Sequence, residues 1–407
     1  MFLSCFPPFI HRYWKHPDYY WVLLKQVQTL GPKHLSILAD ADYFKDYRLW
    51  HKRFRVCGLE FKSTSKNTFK KTPHRTLNTA SLGDWADLPP ADILKKLVSQ
   101  PHAAFSNEFK TGISQAAAEQ PLKAILSWSN LPCLRIAADH CGLPVIHNEV
   151  GPLRAPVYRQ TIYFDLSGVN AGTSAERDAR QFYEHFILTK KTRLLSLEEL
   201  QTIFYTPRHS PSGPPRFAVG VPLQVATDSN VMAFNRDWTF EKILRKVREE
   251  NPGQAILVRP HPEDKKPVLD SPFVLDTSES AREFLLQCEK IYTLNSSVAF
   301  ECLLWDKPVV ILGESPADFL SWEKKKVMTT QEYLAYLNYL FLGYLVPAAY
   351  LFDRDYYAWR LDNPTLEAIR QKHLAYWQNT PKPRMLTRML KRGFLRTIKR
   401  FFFDQSC

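Results

Sequence analysis

Residues 254–262 read QAILVRPHP: a short apolar run, then an arginine and a histidine interleaved with two prolines. The turn residues Asn251, Pro252 and Gly253 precede it, so the run predicts a buried strand. Pro260 and Pro262 cannot donate to a sheet ladder. They end the strand and stiffen the segment that carries Arg259 and His261. In open parallel sheets, ligands lie outside the carboxyl ends of the strands. Arginine forks onto a phosphate or carboxylate, and histidine can donate to one or serve as an acid. The end of this strand is therefore a candidate anion site.

The neighbouring sequence agrees. FAVGVPLQV (217–225) is a predicted strand, and FNRDWTFEKILRKVREENP (234–252) is an amphipathic helix after a loop. SAREFLLQCEK (280–290) follows as a helix, IYTLNS (291–296) as a strand, SVAFECLLWD (297–306) as a helix and KPVVILG (307–313) as a strand. This alternation implies a parallel sheet covered by helices. Asn295, Ser296 and Ser297 fall where a strand gives way to a helix, whose first N–H groups attract anions. The plainer alternative is that one serine caps the helix. In VPLQVATDSN, Asp228 follows a strand in a polar loop, as an Asx turn or as a carboxylate facing a cleft, with Gln224 nearby.

The first half alternates similarly. HLSILAD (34–40) and KAILSWSN (123–130) are predicted strands, and LPCLRIAADHC (131–141) is a helix stopped by Gly142. LPVIHNE (143–149) returns as a strand with Glu149 at its carboxyl end. In IYFDLSGVN, Asp165 precedes a turn containing Gly168. Either acid could be an ordinary surface carboxylate. Together with Asp228 they also supply what acid–base or nucleophilic glycosyl chemistry needs. The Pro/Ser/Gly-rich TPRHSPSGPPR (206–216) is the predicted linker, giving domains over 1–210 and 217–370. Asp40 and Asp42 form an Asp-x-Asp that is treated as a loop. No zinc spacing, GxGxxG or Walker A loop occurs, so no metal or dinucleotide is expected.

Composition sets the bounds. A chain of 407 residues with 45% hydrophobic and 13% aromatic residues is globular and long enough for two cores. Seven cysteines without a CxxC pair suggest reduced thiols in a cytoplasmic compartment. No run of about 18 apolar residues predicts a membrane span. The N-terminal MFLSCFPPFIHRYWK is expected to belong to the fold rather than to a signal peptide. The net charge of +13 is concentrated at the C-terminus, where residues 381–407 hold eight Lys/Arg against one Asp. There, RMLTRMLKRGFLRTIKRFFF (384–403) is amphipathic. It reads as a helix docked on the body or lying on an anionic membrane. No nucleic-acid motif accompanies the charge, so nucleic acid is not an expected partner.

Taken in order, NEVGPLR, FDLSGVN, VPLQVATDSN, VRPHP and LNSSVAFECLLWDKPVVILG resemble the bacterial capsule polysaccharide biosynthesis family, which includes retaining β-Kdo transferases. The likeness spans roughly 145–315. It implies a GT-B-like α/β fold: two Rossmann-like domains facing a cleft, with the basic amphipathic helix appended. Residues 1–210 would be the acceptor-side domain, 217–370 the nucleotide-sugar domain and 381–407 the tail. It further implies CMP-Kdo as donor substrate with no cofactor. Asp228 would be the nucleophile and Glu149 the acid/base. Arg259 and His261 would bind the CMP phosphate or the donor carboxylate, with Ser296 and Ser297 closing the pocket and Asn295 and Gln224 beside them. Asp165 is a further cleft candidate. Asn230 stands where the family's Asp-Ser-Gln pattern has glutamine. The implied partners are a lipid-linked glycan acceptor, an anionic membrane surface reached by the tail, and other capsule-assembly proteins. The implied location is the cytoplasm, peripheral on the inner face of the membrane. Two alternatives remain open: a transferase using another nucleotide sugar such as a UDP-sugar, and a non-catalytic glycan-binding or assembly protein.

Overall fold

A computed structural model describes residues 1–8, 19–45, 54–56, 59–61, 65–205, 214–226, 228–261 and 270–382. Most of the predicted linker, and the basic tail from 383 onward, lie outside the described residues.

Two sheets frame the molecule. The strands of the first half are β1 (Phe2–Cys5), β2 (Leu35–Ala39), a separate antiparallel ribbon of β3 (Phe54–Val56) and β4 (Leu59–Phe61), β5 (His74–Thr76), β6 (Ala124–Ser127), β7 (Val145–Val150) and β8 (Thr161–Asp165). β5, β2, β1, β6 and β7 lie side by side and parallel. The second half gives β9 (Phe217–Pro222), β10 (Ile256–Arg259), β11 (Phe273–Leu275), β12 (Cys288–Thr293) and β13 (Val309–Ile311). All five are parallel, in the order β11-β10-β9-β12-β13. Counted by their place in the chain, both sets run 3-2-1-4-5, the doubly wound nucleotide-binding order, so the α/β fold of two Rossmann-like units is present. β1, β2 and β6 are buried at every residue, which is why they read as continuous apolar runs. Ser4 is tolerated inside β1 because its hydroxyl donates to Gln26 Oε1 at 2.6 Å. MFLSC is thus one of the innermost strands of its sheet.

Two departures from expectation have physical causes. The helix expected over 280–290 stops at Leu286, and Cys288–Lys290 join β12 instead. The Gln287 carbonyl takes the N–H of Phe217 at 3.0 Å, so sheet pairing with β9 captures the segment. Secondly, the chain does not remain in the second unit to residue 370. β14 (Val346–Pro347) crosses back and pairs antiparallel with β8, which is itself antiparallel to β7. It covers an edge that would otherwise present unpaired N–H and C=O groups. The helices Arg354–Leu361 and Leu366–Asn379 follow it. Tyr357 donates to Asn148 Oδ1 at 3.0 Å, and Arg159 donates to the Trp377 carbonyl and, at 2.6 Å, to that of Thr380.

Candidate active site

β7 delivers Glu149 to the carboxyl edge of the first sheet. The chain then passes Gly151, where a Cβ would lie 2.6 Å from the Thr161 carbonyl carbon, so only glycine lets the two backbones meet. The loop beyond carries Arg154, whose Nε donates to the Gly151 carbonyl at 3.1 Å. Asn170, with φ 64°, returns from the loop after β8 and donates its amide to Glu149 Oε2. Burial pushes the Glu149 carboxyl up to about 7, and the negative charge of Asp228 adds to the rise. The Asn170 amide and the Arg154 guanidinium oppose it.

Asp228 comes from the second unit. It caps the short helix Ser229–Ala233, accepting the Asn230 N–H at 2.8 Å, so the Asx role foreseen for it is real. The residue is exposed at the mouth between the units, yet neighbouring protein still raises its carboxyl above the ordinary range. The Asn230 N–H, His261 and Arg154 act in the other direction. Glu149, His261 and Arg154 therefore all lie within electrostatic reach of Asp228, although the four residues derive from three separate stretches.

The cationic strand end is more constrained than expected. Arg259 donates through Nη1 to Asp276, to the Ser278 carbonyl at 3.1 Å and to Ser278 Oγ at 3.2 Å. Asp276 is buried, so this pair fixes the guanidinium at the strand end. Gln224 and Asn295 sit at the switch point between β9 and β12, but their amides are committed to the protein. Gln224 Nε2 donates to Asn295 Oδ1 at 3.0 Å, and Asn295 Nδ2 donates to the carbonyls of Asn230 at 3.0 Å and Phe234 at 3.3 Å. Both protons of the Asn295 amide are thereby used, and the pair acts as a clamp holding the Asp228 helix against β12 instead of as a donor contact. Ser296 is buried, and its hydroxyl accepts the Val298 N–H at 3.3 Å. Ser297 is half-buried and makes no side-chain cap to the helix Val298–Leu304.

Asp165 does not face the cleft. It is 1% exposed and accepts the N–H groups of Ser167 at 2.7 Å and Ser174 at 2.8 Å. A carboxylate bound twice by backbone organises a loop. Here the loop is the one that presents Asn170.

Three residues at the site were not singled out from sequence. Arg154 was inside the quoted NEVGPLR, where the Gly-Pro bend ahead of it was the available signal. Asn170 closes FDLSGVN without a distinguishing pattern. Glu301 stands in the apolar VAFECLL, and a lone acid in a buried helix is itself a signal. Tyr158 of the first unit donates to Glu301 Oε2 at 2.8 Å, and Trp305 Nε1 donates to the Tyr158 hydroxyl at 3.0 Å. Burial raises the Glu301 carboxyl to about 7 against the Tyr158 hydroxyl and the charges of Arg259, Arg154 and Arg282. This contact ties the Arg154 loop to the helix that follows β12.

Among the described residues no group of His, Cys, Asp and Glu is arranged to hold a metal ion, and no helix is long and apolar enough to cross a membrane.

Two family models match in tandem. Residues 4–174 match the glycosyltransferase 99 family N-terminal domain, and residues 206–325 match the capsule polysaccharide biosynthesis protein family. The chain is 24% identical over 291 residues to Protein FixF of Sinorhizobium fredii, covering 61% of this chain and 69% of that one. Similar solved structures include Thermosulfurimonas dismutans KpsC as a β-Kdo 2,4 transferase, with 23% identity, coverage of 53% and 79%, and a TM-score of 0.38. The β-Kdo 2,7 transferase of the same organism's KpsC has 18% identity, coverage of 65% and 89%, and a TM-score of 0.39.

Proposed function

We propose that this chain, with its matches to the glycosyltransferase 99 family N-terminal domain and the capsule polysaccharide biosynthesis protein family, is a glycosyltransferase working from a nucleotide-sugar donor to a glycan acceptor, and that it transfers Kdo from CMP-Kdo to a lipid-linked acceptor with retention of configuration. The observation that carries this is the approach of Glu149 and Asp228 across the two units, close enough that the Asp228 charge helps raise the Glu149 carboxyl. Two such carboxyls do not ionise equally. The one held at about 7 is suited to moving a proton, and the other to remaining an anion.

Asp228 attacks the anomeric carbon, the bond to the CMP phosphate breaks, and a glycosyl-Asp228 ester forms. His261 and the immobilised Arg259 take the charge of the departing phosphate, with Ser297 beside them. Arg154 faces the Kdo carboxylate. In the second displacement Glu149 accepts the proton of the acceptor hydroxyl while that oxygen attacks the anomeric carbon, breaking its bond to the Asp228 carboxylate and freeing Asp228. Two inversions restore the original configuration. No cofactor enters this scheme. The basic tail holds the enzyme on the anionic inner face of the cytoplasmic membrane, where a lipid-linked acceptor and other capsule-assembly proteins would be found.

Calorimetric titration with CMP, UDP, ADP and GDP tests the donor. Selective CMP binding that is lost in His261→Ala is the expected result. Preference for UDP would discard Kdo and keep a transferase, and absence of any nucleotide binding would favour a non-catalytic assembly protein.

A further inference from the structure

Asn130 closes the predicted strand KAILSWSN, and the steps above assign it nothing. β6 and β7 are parallel neighbours, so Asn130 leaves the sheet at the same edge as Glu149. Its side chain is committed to the loop after β8. Oδ1 accepts the Val169 N–H at 2.8 Å, and Nδ2 donates to the carbonyls of Val169 at 2.8 Å and Ala171 at 3.0 Å. These bonds fall on the two residues that flank Asn170. We propose that Asn130 is a positioning residue for the transfer: it braces the turn at Asn170 and so keeps the Asn170 amide on Glu149 Oε2, orienting the carboxyl that exchanges the proton.

The turn needs a brace. The Ala171 N–H closes on the Val169 carbonyl at 2.7 Å across Asn170, whose φ is 64°. A three-residue turn with a positive φ at its centre is rare and strained, and it persists only where the surroundings over-determine it. The other fastenings of this loop act away from its apex. Arg135 Nη2 donates to the carbonyls of Leu166 at 3.0 Å and Ser167 at 2.9 Å, and Asp165 takes the N–H groups of Ser167 and Ser174. Gly168 lets the apex fold back, since a Cβ there would lie 2.5 Å from the Ala171 carbonyl oxygen and 3.2 Å from Asn130 Oδ1. Among the described residues, only the Asn130 side chain bonds on both sides of Asn170. Asn130 is aimed by a turn of its own, in which the Ser127 hydroxyl donates to the Ser129 carbonyl at 2.7 Å. Around Glu149, Arg154 acts from the loop after β7 and Asp228 from the second unit. Tyr163, opposite Glu149 on β8, is a phenol that burial keeps neutral. Burial and Asp228 favour the protonated acid, while the Asn170 amide and Arg154 favour the anion. Without Asn130 the amide would lose its place, and Glu149 would ionise only at higher pH.

The inference rests on the acid/base role proposed for Glu149, and its test keeps the two apart. Carbon-13 NMR of the full chain, labelled at the glutamate carboxyls, follows the titration of Glu149 with neither donor nor acceptor present. Its signal is identified by its loss in Glu149→Gln. The wild-type midpoint should lie at about 7. Asn170→Ala should raise it by about one pH unit or more, and Asn130→Ala should raise it similarly, although Asn130 reaches Glu149 only through Asn170. In the double variant the second substitution should add nothing to the first, because both remove the same contact. Asn130→Ser is milder, with a hydroxyl too short to span Val169 and Ala171 together, and should move the midpoint in the same direction. A lowered melting temperature with an unmoved midpoint in both Asn130 variants would make the residue purely structural and overturn the proposal. Fully additive shifts in the double variant would overturn it as well. Full transfer by Glu149→Gln would instead discard the acid/base role and leave the linkage from Asn130 through Asn170 to Glu149 standing.

Discussion

The two sheets repeat one strand order and diverge after their fifth strand. The second ends at β13, wholly parallel. The first continues antiparallel through β8 and β14. That extension makes the two edges chemically unequal. On the second, Arg259 and His261 come directly from the strand end, as a parallel sheet presents them. On the first, Glu149 is completed by Asn170, which arrives only because β8 reverses direction and Asp165 folds the following loop. A cationic edge can thus come from one strand, while a tuned acid here needs two strands and a loop.

The sharpest way to break this division is Asp228→Asn. Transfer should fall by about 10³-fold or more with circular dichroism unchanged, since the variant keeps the cap and loses the nucleophile. Full activity in the folded variant would remove the nucleophile from the second unit. Glu149→Gln should cost roughly 10²- to 10⁴-fold in acceptor transfer. The sign with pH follows from its role: a base must be ionised, so the wild-type rate should rise as pH passes through about 7, and the variant should lose that limb. A limb that persists would assign it to another group. Asp165→Ala probes the scaffold of the acid edge. It strips two backbone N–H groups of a buried partner, so denaturant titration should show a loss of about 3 kcal/mol while CMP affinity, a property of the other unit, holds. The smallest effect is expected at the Tyr158–Glu301 contact. The Glu301 carboxyl is raised in the folded state, so wild-type stability should decline as pH climbs from the ordinary carboxylate range through about 7. Glu301→Gln removes that decline. It should be more stable by about 1–3 kcal/mol at pH 8 and no more stable near pH 4, as read by thermal melts.

The parallel parts of both sheets were legible because strands buried on both faces leave continuous apolar runs, and QAILV and KPVVILG are such runs. Glu149, Asp228, Arg259 and His261 were legible because each follows such a strand. What the residues could not disclose was orientation. Asp165 has the same signature as Glu149, an acid after an apolar run, and only its two backbone partners mark it as structural. Gln224 and Asn295 are at the right place in the sheet order, and a mutual bond 71 residues apart in sequence withdraws them from the pocket. β14 is two residues long and β8 runs antiparallel, so neither belongs to the strand–helix alternation that organised the rest.

The return of the chain at Val346–Pro347 has a consequence for biosynthesis. During translation β1 to β8 emerge early, but the strand that closes their edge and the helices that follow it appear only after the whole second sheet has been made. The first unit must therefore wait, with β8 uncovered, for contacts separated by nearly two hundred positions, a high-contact-order step of the kind that slows folding and exposes edges to mispairing. The two halves are distinct as sheets but a single unit of assembly. A fragment cut at the linker should be a client of chaperones, not a domain that stands alone.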